Sequence, residues 1–224
     1  MTGDVSNLEV RVGASAATSP AEIEDVLRLF EACYRRANRE YVERSLGTLR
    51  NVATARDGDL LVGFCLGETR IMEVPRLGAH TVALPGICCI ARVWRRRGLS
   101  GRLVGLSMGH EAPPTIGERL LIGARMAHPA SSRRASRAQS VVPKRGIRPT
   151  HWQQEVGWAV ARAYGATDFD TEHFVIRGTG APIGYPDMEI DAEAEEWELF
   201  EHVDRDRGDA LLTITWAPAA PPGW

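Results

Sequence analysis

An arginine- and glycine-rich stretch directly follows an apolar run near the middle of the chain. The apolar residues are Ile87-Cys88-Cys89-Ile90, and residues 95–102 read Arg-Arg-Arg-Gly-Leu-Ser-Gly-Arg. Small residues let backbone N–H groups approach a phosphate, and a helix that begins here would add the partial positive charge of its N-terminus. Guanidinium groups bind phosphate oxygens through two parallel N–H donors. The spacing fits neither a Walker loop nor a dinucleotide fingerprint, so the stretch is a candidate anion-binding site of another kind.

This order of features resembles the acetyl-CoA signature of the GNAT superfamily of N-acetyltransferases. In that family a central strand is followed by [RQ]-x-x-G-x-[GA] at the start of a helix. Here Arg95-x-x-Gly98-x-Ser100 matches with one departure, at Ser100, and Leu103 matches the apolar residue that usually follows. The resemblance covers about residues 8–165. It implies an acyl-CoA-dependent N-acyltransferase, most readily with acetyl-CoA as donor, in which the amine of a small molecule attacks the thioester directly.

The resemblance also implies a cofactor site. Arg95 opens the signature, and the pyrophosphate would be held by the backbone N–H groups of the residues after it. The strand backbone around Cys88 and Ile90 would pair with pantetheine, and the N–H near Ile90 would polarise the thioester carbonyl. The pyrophosphate-binding residues so implied are Arg96, Arg97, Gly98, Ser100 and Gly101.

The usual acid and base of that family have no counterpart in this sequence. The stretch after the predicted strand Leu120–Ala127 holds neither the Asn nor the Tyr of the family, and the signature strand lacks the Glu. A positioned histidine can move the proton instead. His128, at the end of that strand, is the first candidate base, with capping of the strand end as its alternative role. Glu73 and His80, which flank the turn into the signature strand, are further candidates.

Basic and acidic residues are segregated along the chain. Residues 92–148 carry thirteen basic side chains against two acids, and residues 187–209 carry eleven acids against two arginines. The basic stretch predicts an anionic partner, and the acidic segment is expected to fold back and neutralise part of it. The loop 125–148 could hold the 3′-phosphate of coenzyme A, dock an acidic carrier protein or a tRNA donor, or be solvated. Since residues 121–149 contain no aromatic side chain, stacking of bases on this loop is disfavoured.

Composition places the chain among globular proteins. It has 224 residues, 44% of them apolar, and a formal net charge of −2. No apolar run reaches the roughly 20 residues of a membrane helix, and the four cysteines lack the spacing of a zinc site. We therefore expect a cytoplasmic protein without a membrane span or a metal. A homodimer is an alternative to a monomer that the sequence leaves open.

The pattern of predicted elements favours an α/β fold. Capping boxes at Ser19 and Thr150 start two helices, and an Asp57-Gly58 turn joins a hairpin. Strands and helices alternate only in part, so the expected architecture is a single domain with a mixed, mostly antiparallel central sheet flanked by helices on both faces. The domain should span residues 1–216, with a loose proline-rich tail at 217–224. The predicted strands are Leu8–Val12, Arg50–Ala55, Leu60–Met72, Ile87–Ile90, Leu120–Ala127, Phe174–Ile176 and Ala210–Trp216.

Three alternatives remain at this point. The same fold could take its acyl group from an acyl carrier protein or an aminoacyl-tRNA, as in the biosynthesis of specialised metabolites. The chain could be a regulator that binds acyl-CoA without catalysis, having lost the acid and base. It could also be a purely structural or interaction domain, which would have no affinity for coenzyme A.

Overall fold

The computed structural model describes residues 4–109, 119–133, 135–187 and 192–224. The helices are α1 (Pro20–Cys33), α2 (Arg39–Thr48), α3 (Leu99–Gly109), α4 (Pro129–Ser132), α5 (His151–Ala163) and α6 (Ala194–Trp197). The strands are β1 (Glu9–Ala14), β2 (Tyr34–Arg35), β3 (Asn51–Asp57), β4 (Leu60–Val74), β5 (Gly78–Ile90), β6 (Leu120–Met126), β7 (Phe169–Asp170), β8 (Val175–Ile176), β9 (Tyr185–Pro186) and β10 (Ala210–Ala217).

The described residues group into two compact units that share two long strands. The first unit contains residues 4–69, 85–109 and 184–187, and the second contains the remainder. Strands β4 and β5 pass from one unit into the other. The single domain over residues 1–216 stays a prediction from the sequence.

The first unit is built on antiparallel pairing of β1, β3 and β4. Val10 lies opposite Ala55, and Asn51 lies opposite Gly67. Alternate residues of these strands form a core with α3 that includes Ala53, Cys65 and Leu99. Helix α1 begins at the predicted capping box, in which Ser19 and Glu22 exchange hydrogen bonds. Its apolar residues recur at helical spacing, and Val26, Leu27 and Phe30 among them are buried.

The second unit contains the parallel pair of the sheet. β5 pairs with β6 through Val82–Leu121 and Ala83–Ile122. β6 then pairs antiparallel with β10 along the whole of its length, and β8 and β7 continue from β10. Helix α5 begins at the second predicted capping box, Thr150 with Gln153. The predicted mixed, mostly antiparallel sheet with packed helices is confirmed by these pairings.

The acidic segment folds back on the basic loop, as the charge segregation predicts. Arg133 donates from Nε and Nη2 to the two carboxylate oxygens of Glu196, at 2.6 and 2.8 Å. Arg145 forms ion pairs with Glu195 and Glu198. Two of the basic side chains that could have recruited an acidic partner are therefore paired within the unit.

The expectation of a loose tail at 217–224 is wrong. The Trp224 indole N–H donates to the Ser140 carbonyl at 2.8 Å, and the Trp224 ring packs edge-on against Trp152 and Trp216. Pro221 is buried. The proline content suggested a mobile segment, but a terminal aromatic side chain with a polar handle anchors it.

Three short strands were not predicted from the sequence. β2, β7 and β9 are two residues long, and an alternation of two positions gives no detectable period. The signature strand also differs from expectation in burial. Cys89 and Ile90 are buried, but Ile87 and Cys88 are partly exposed, so that part of β5 is accessible in the first unit.

Candidate functional site

The chain leaves β5 through a tight turn that leads directly into α3. Ala91 N–H donates to the Val62 carbonyl in β4 at 2.8 Å, which ties the end of β5 to its neighbour. A single 3₁₀ turn, Arg92–Trp94, follows. Arg96 and Gly98 then take φ values of +61° and +80°. The left-handed backbone at Gly98 is the conformation that glycine adopts without steric cost, and it brings the chain to the first residue of the helix.

Gly98 stands in open space at the start of α3. Among the described residues, none has an atom within 4 Å of the position that a Cβ at Gly98 would take. Gly98, Ser100 and Gly101 are all exposed, so their backbone N–H groups are accessible. Orphan N–H groups at the first turn of a helix, with the helix dipole, favour an anion here. These residues fit the pyrophosphate of coenzyme A.

The sheet fixes the direction of α3 firmly. Gly63 lets the helix lie close, because a Cβ there would approach Leu103 Cδ1 to 3.0 Å. At the other end, Asn51 Nδ2 donates to the Ser107 carbonyl at 3.1 Å, and the Thr69 hydroxyl donates to the Met108 carbonyl. Both are buried polar groups of the strands. A helix held at both ends presents its N-terminus as a preorganised site rather than a mobile one.

The Arg95 side chain does not face outward as a phosphate ligand would. Its Nε donates to the Ile90 carbonyl at 2.9 Å, and its Nη1 donates to the Asp187 carbonyl at 2.6 Å. Arg97 differs, since its guanidinium lies over the Trp94 ring at 5.3 Å from the centroid while the side chain is exposed. Exposed Arg96, Arg97 and Arg102 therefore remain candidates for contacts with phosphate, whereas the Arg95 guanidinium is committed to two carbonyls.

The four cysteines lie in the first unit, and their pKa values are shifted in opposite directions. The pKa of Cys33 is lowered to about 7 by its hydrogen bond with Cys89, against the effect of burial and with a contribution from Arg95. Burial and the same bond raise the pKa of Cys89. The hydrogen bond with Cys65, together with burial, raises the pKa of Cys88. A thiol with a raised pKa is a poor nucleophile at neutral pH, so Cys88 and Cys89 are suited to packing rather than to covalent catalysis.

His128 caps a helix in the second unit. Its Nδ1 accepts a hydrogen bond from Ala130 N–H at 3.1 Å, and its ring packs edge-on against Trp197. Burial lowers the pKa of His128, and the charges of Arg205 and Arg133 lower it further. The ring is therefore neutral at pH 7, with its proton on Nε2 and its one free lone pair used by the cap. A general base needs that lone pair.

The other candidate residues also lie in the second unit. Glu73 is exposed, and His80 packs its ring edge-on against Trp216 at 5.3 Å. The structure thus brings Cys88, Ile90 and residues 95–101 together in the first unit, and does not group them there with His128, Glu73 or His80.

Sequence reasoning missed Cys33 and Asp187 as neighbours of the site. Cys33 Sγ–H donates to the Ile90 carbonyl at 3.5 Å, and Asp187 N–H donates to the Cys33 carbonyl at 2.8 Å. Both contacts join residues more than 50 positions apart. The one hint nearby in the sequence is a glycine, Gly184. Its φ is +132°, and a Cβ placed there would lie 3.2 Å from Tyr34 Cβ.

The described residues offer neither a metal site nor a membrane-spanning helix. They contain no group of three or more His, Cys, Asp or Glu side chains arranged to hold a metal ion. None of their helices combines the length and the apolar character that a membrane crossing requires.

Comparison of the sequence with known families and with curated proteins gives no match: no family model and no curated protein corresponds to this chain.

Comparison of the structure gives many matches, and several are N-acetyltransferases. A GNAT-family N-acetyltransferase from Escherichia coli in complex with CoA is 17% identical, with a TM-score of 0.40 over 57% of this chain and 67% of that one. The ribosomal-protein-S18-alanine N-acetyltransferase from Escherichia coli is 9% identical, with a TM-score of 0.39 over 96% and 99%. An aminoglycoside acetyltransferase from an uncultured soil metagenomic sample is 18% identical, with a TM-score of 0.33 over 46% and 68%. At these identities and scores, the activities and substrates of those enzymes are not transferred to this chain.

Proposed function

We propose that this protein is an acyl-CoA-dependent N-acyltransferase that uses acetyl-CoA or a related acyl-CoA and acts on the amine of a small molecule. The observation that carries the proposal is the route from β5 into α3. An accessible strand segment at Ile87–Cys88 precedes the Arg95-x-x-Gly98-x-Ser100 signature, which itself contains a left-handed glycine in open space and the start of a helix.

In this proposal the backbone supplies most of the binding. The N–H groups of Arg96, Arg97, Gly98, Ser100 and Gly101 hold the pyrophosphate, and exposed arginines add charge-assisted hydrogen bonds. The partly exposed segment at Ile87 and Cys88 pairs with pantetheine as an added strand would. An N–H donor at Ile90 then stabilises the negative charge that develops on the thioester oxygen as the amine attacks. The thiolate of coenzyme A leaves as the new amide bond forms.

Proton transfer must use groups other than those of the family resemblance. The capping bond of His128 occupies its only free lone pair, which argues against a general base at that position. We therefore assign the removal of the proton from the attacking amine to water. A positioned histidine typically accelerates such a step by about 10²–10⁴-fold. Without that acceleration, we predict a modest turnover number.

The proposal is tested by transfer assays. Purified protein is incubated with acetyl-CoA and a panel of primary amines, including an aminoglycoside and a peptide with a free N-terminus, and release of CoA thiol is followed with a thiol reagent. Mass spectrometry of the amine must show a gain of one acetyl group. Thiol release without an acetylated amine would indicate hydrolysis and contradict the assignment as an N-acyltransferase.

The second candidate function is a regulator that binds acyl-CoA without catalysis. The cap on His128 favours it, because the lone pair that a general base needs is used in that hydrogen bond. Tight binding of acetyl-CoA with no transfer to any amine of the panel would support this alternative. Absence of binding would leave a structural or interaction domain.

A further inference from the structure

A network of hydrogen bonds around the carbonyl of Ile90, at the end of β5, joins three segments that are remote in sequence. This oxygen accepts hydrogen bonds from Arg95 Nε at 2.9 Å and from Cys33 Sγ at 3.5 Å. Arg95 Nη1 donates in turn to the Asp187 carbonyl at 2.6 Å, and Asp187 N–H donates to the Cys33 carbonyl at 2.8 Å. The end of α1, the end of β5 and a segment near residue 187 are thus closed into one hydrogen-bonded ring.

The segment Gly184–Asp187 is held by further contacts in the same unit. Its strand β9 pairs antiparallel with β2, so that Tyr34 lies opposite Pro186 and Arg35 lies opposite Tyr185. The Arg36 guanidinium lies over the Tyr185 ring at 5.6 Å from the centroid. Gly184 is buried against Tyr34 and Ala37, where a Cβ would come within 3.1–3.3 Å of their atoms. These contacts fix one end of the segment, and Arg95 fixes the other.

The direction of the strand places this segment on a definite side of β5. Successive residues of a strand direct their N–H and C=O groups to alternate edges. Ala91 N–H points to Val62 in β4, so the N–H and C=O of Ile90 point to the opposite edge. The proposed function places the thioester carbonyl at that N–H. Because Arg95 bonds the Ile90 carbonyl, the segment it holds lies on the same edge as the proposed reaction centre.

We propose that Arg95 is a positioning residue that holds the segment Gly184–Asp187 as a wall of the acceptor-binding site, rather than a ligand of the CoA phosphates. The role as an acceptor wall rests on the proposed function. The planar guanidinium is suited to it, because Nε and Nη1 donate in a fixed geometry to two carbonyls that belong to different segments. Lysine cannot reproduce this fork. The identity of the amine would then depend on the residues that this segment presents.

The test uses the full chain with Arg95→Gln and Arg95→Lys, and with Arg97→Gln as the matched control. Hydrogen exchange is measured by mass spectrometry, and the affinity for CoA by calorimetry. We expect both Arg95 variants to increase amide exchange at residues 184–187 by about tenfold or more, since two hydrogen bonds are lost or misaligned. Exchange elsewhere in the first unit, and the Kd for CoA to within about threefold, should be unchanged. Arg97→Gln should leave exchange at residues 184–187 unchanged.

Kinetics separates positioning of the acceptor from a general structural role. With the amine that the wild-type protein acetylates fastest in the transfer assay, both Arg95 variants should raise the KM of the amine by about tenfold and leave the KM of acetyl-CoA unchanged. The inference is overturned if Arg95→Gln weakens CoA binding tenfold and Arg95→Lys restores it, because that is the behaviour of a phosphate ligand. It is also overturned if exchange rises throughout the unit.

The two proposals fail in different ways. If the wild-type protein binds no CoA, the proposed function fails, while the exchange measurement still decides whether Arg95 holds the segment. If CoA binds and exchange at residues 184–187 does not respond to either Arg95 variant, the positioning role fails alone.

Discussion

At the scale of single residues, His128 illustrates how a side chain can match a chemical role by type and position while its hydrogen bonds give it another. Its Nδ1 accepts from the backbone of α4, and burial lowers its pKa. The ring can therefore support the helix start or act as a base, but not both in the same arrangement. Asparagine is a good N-cap and carries no imidazole, so it separates the two roles.

We predict that His128→Ala lowers the free energy of unfolding by about 0.5–2 kcal/mol, because the cap is lost, whereas His128→Asn keeps most of that stability. If capping is the whole role of His128, the Asn variant retains the wild-type rate of acyl transfer. Chemical denaturation and the thiol-release assay measure the two quantities. A fall of about a hundredfold in the rate of a stable Asn variant would make His128 the base after all.

At the scale of elements, the features that could be predicted are those that depend on residues close together in the sequence. The capping boxes at Ser19 and Thr150 fix two helix starts to the residue, because each closes within four positions. The two-residue strands β2 and β9 could not be predicted, since their pairing depends on a contact between residues about 150 positions apart. Burial of the proline-rich tail likewise depends on Ser140 and Trp152, which no local pattern links to Trp224.

The anchored tail leads to a prediction at this scale. Replacing Trp224 with Ala removes the hydrogen bond to the Ser140 carbonyl and the ring contacts with Trp152 and Trp216. We expect a loss of about 1–3 kcal/mol in the free energy of unfolding, measured by urea denaturation. Val93→Ala is the control, because Val93 is 72% exposed and should change stability by less than about 0.5 kcal/mol. Equal stability of both variants would contradict the anchored tail.

At the scale of the whole molecule, charge was the most informative property of the sequence. Its segregation predicted that the acidic segment 187–209 would fold back and neutralise part of the basic stretch, and the ion pairs of Arg133 and Arg145 confirm this. Arg95 shows what such patterns do not reveal, because its guanidinium donates to two carbonyls and one of them lies 92 positions away. The spacing of residues indicates that a guanidinium lies near a phosphate site. Which groups that guanidinium bonds depends on contacts that only the fold creates.

Charge also leads to a prediction about acid stability. The Asp209 side chain is fully buried. Burial raises its pKa, but hydrogen bonds from Arg207, Gly178, Asp204 and Arg177 outweigh this and lower it from 3.8 to about 2. Since the folded-state pKa is the lower one, the charged form favours folding. This contribution is fully present above about pH 5 and is lost as the pH falls through 4 toward 2, and it amounts to about 2 kcal/mol.

Denaturation at several pH values between 3 and 7 checks this contribution. We expect Asp209→Asn to lower stability at pH 7 by about 2–3 kcal/mol, because Arg177 and Arg207 lose hydrogen bonds to a charged acceptor. The acid-dependent loss should also be smaller in this variant than in the wild type. Glu43→Gln, at an exposed position of α2, serves as the control and should keep the wild-type pH profile. An unchanged acid limb in Asp209→Asn would assign acid lability to other carboxylates.

The measurement that tests the central claim most directly is calorimetric titration of CoA and acetyl-CoA into the wild-type protein, Gly98→Val and Gly165→Val. Gly98 and Gly165 have φ of +80° and +78°, and both stand in open space, so valine imposes the same backbone strain at each. Only the first lies at the start of α3. We predict micromolar binding to the wild-type protein and to Gly165→Val, and a loss of at least tenfold in a folded Gly98→Val. Equal affinity of the two variants, or no binding to the wild-type protein, would contradict the assignment of this helix start as an acyl-CoA site.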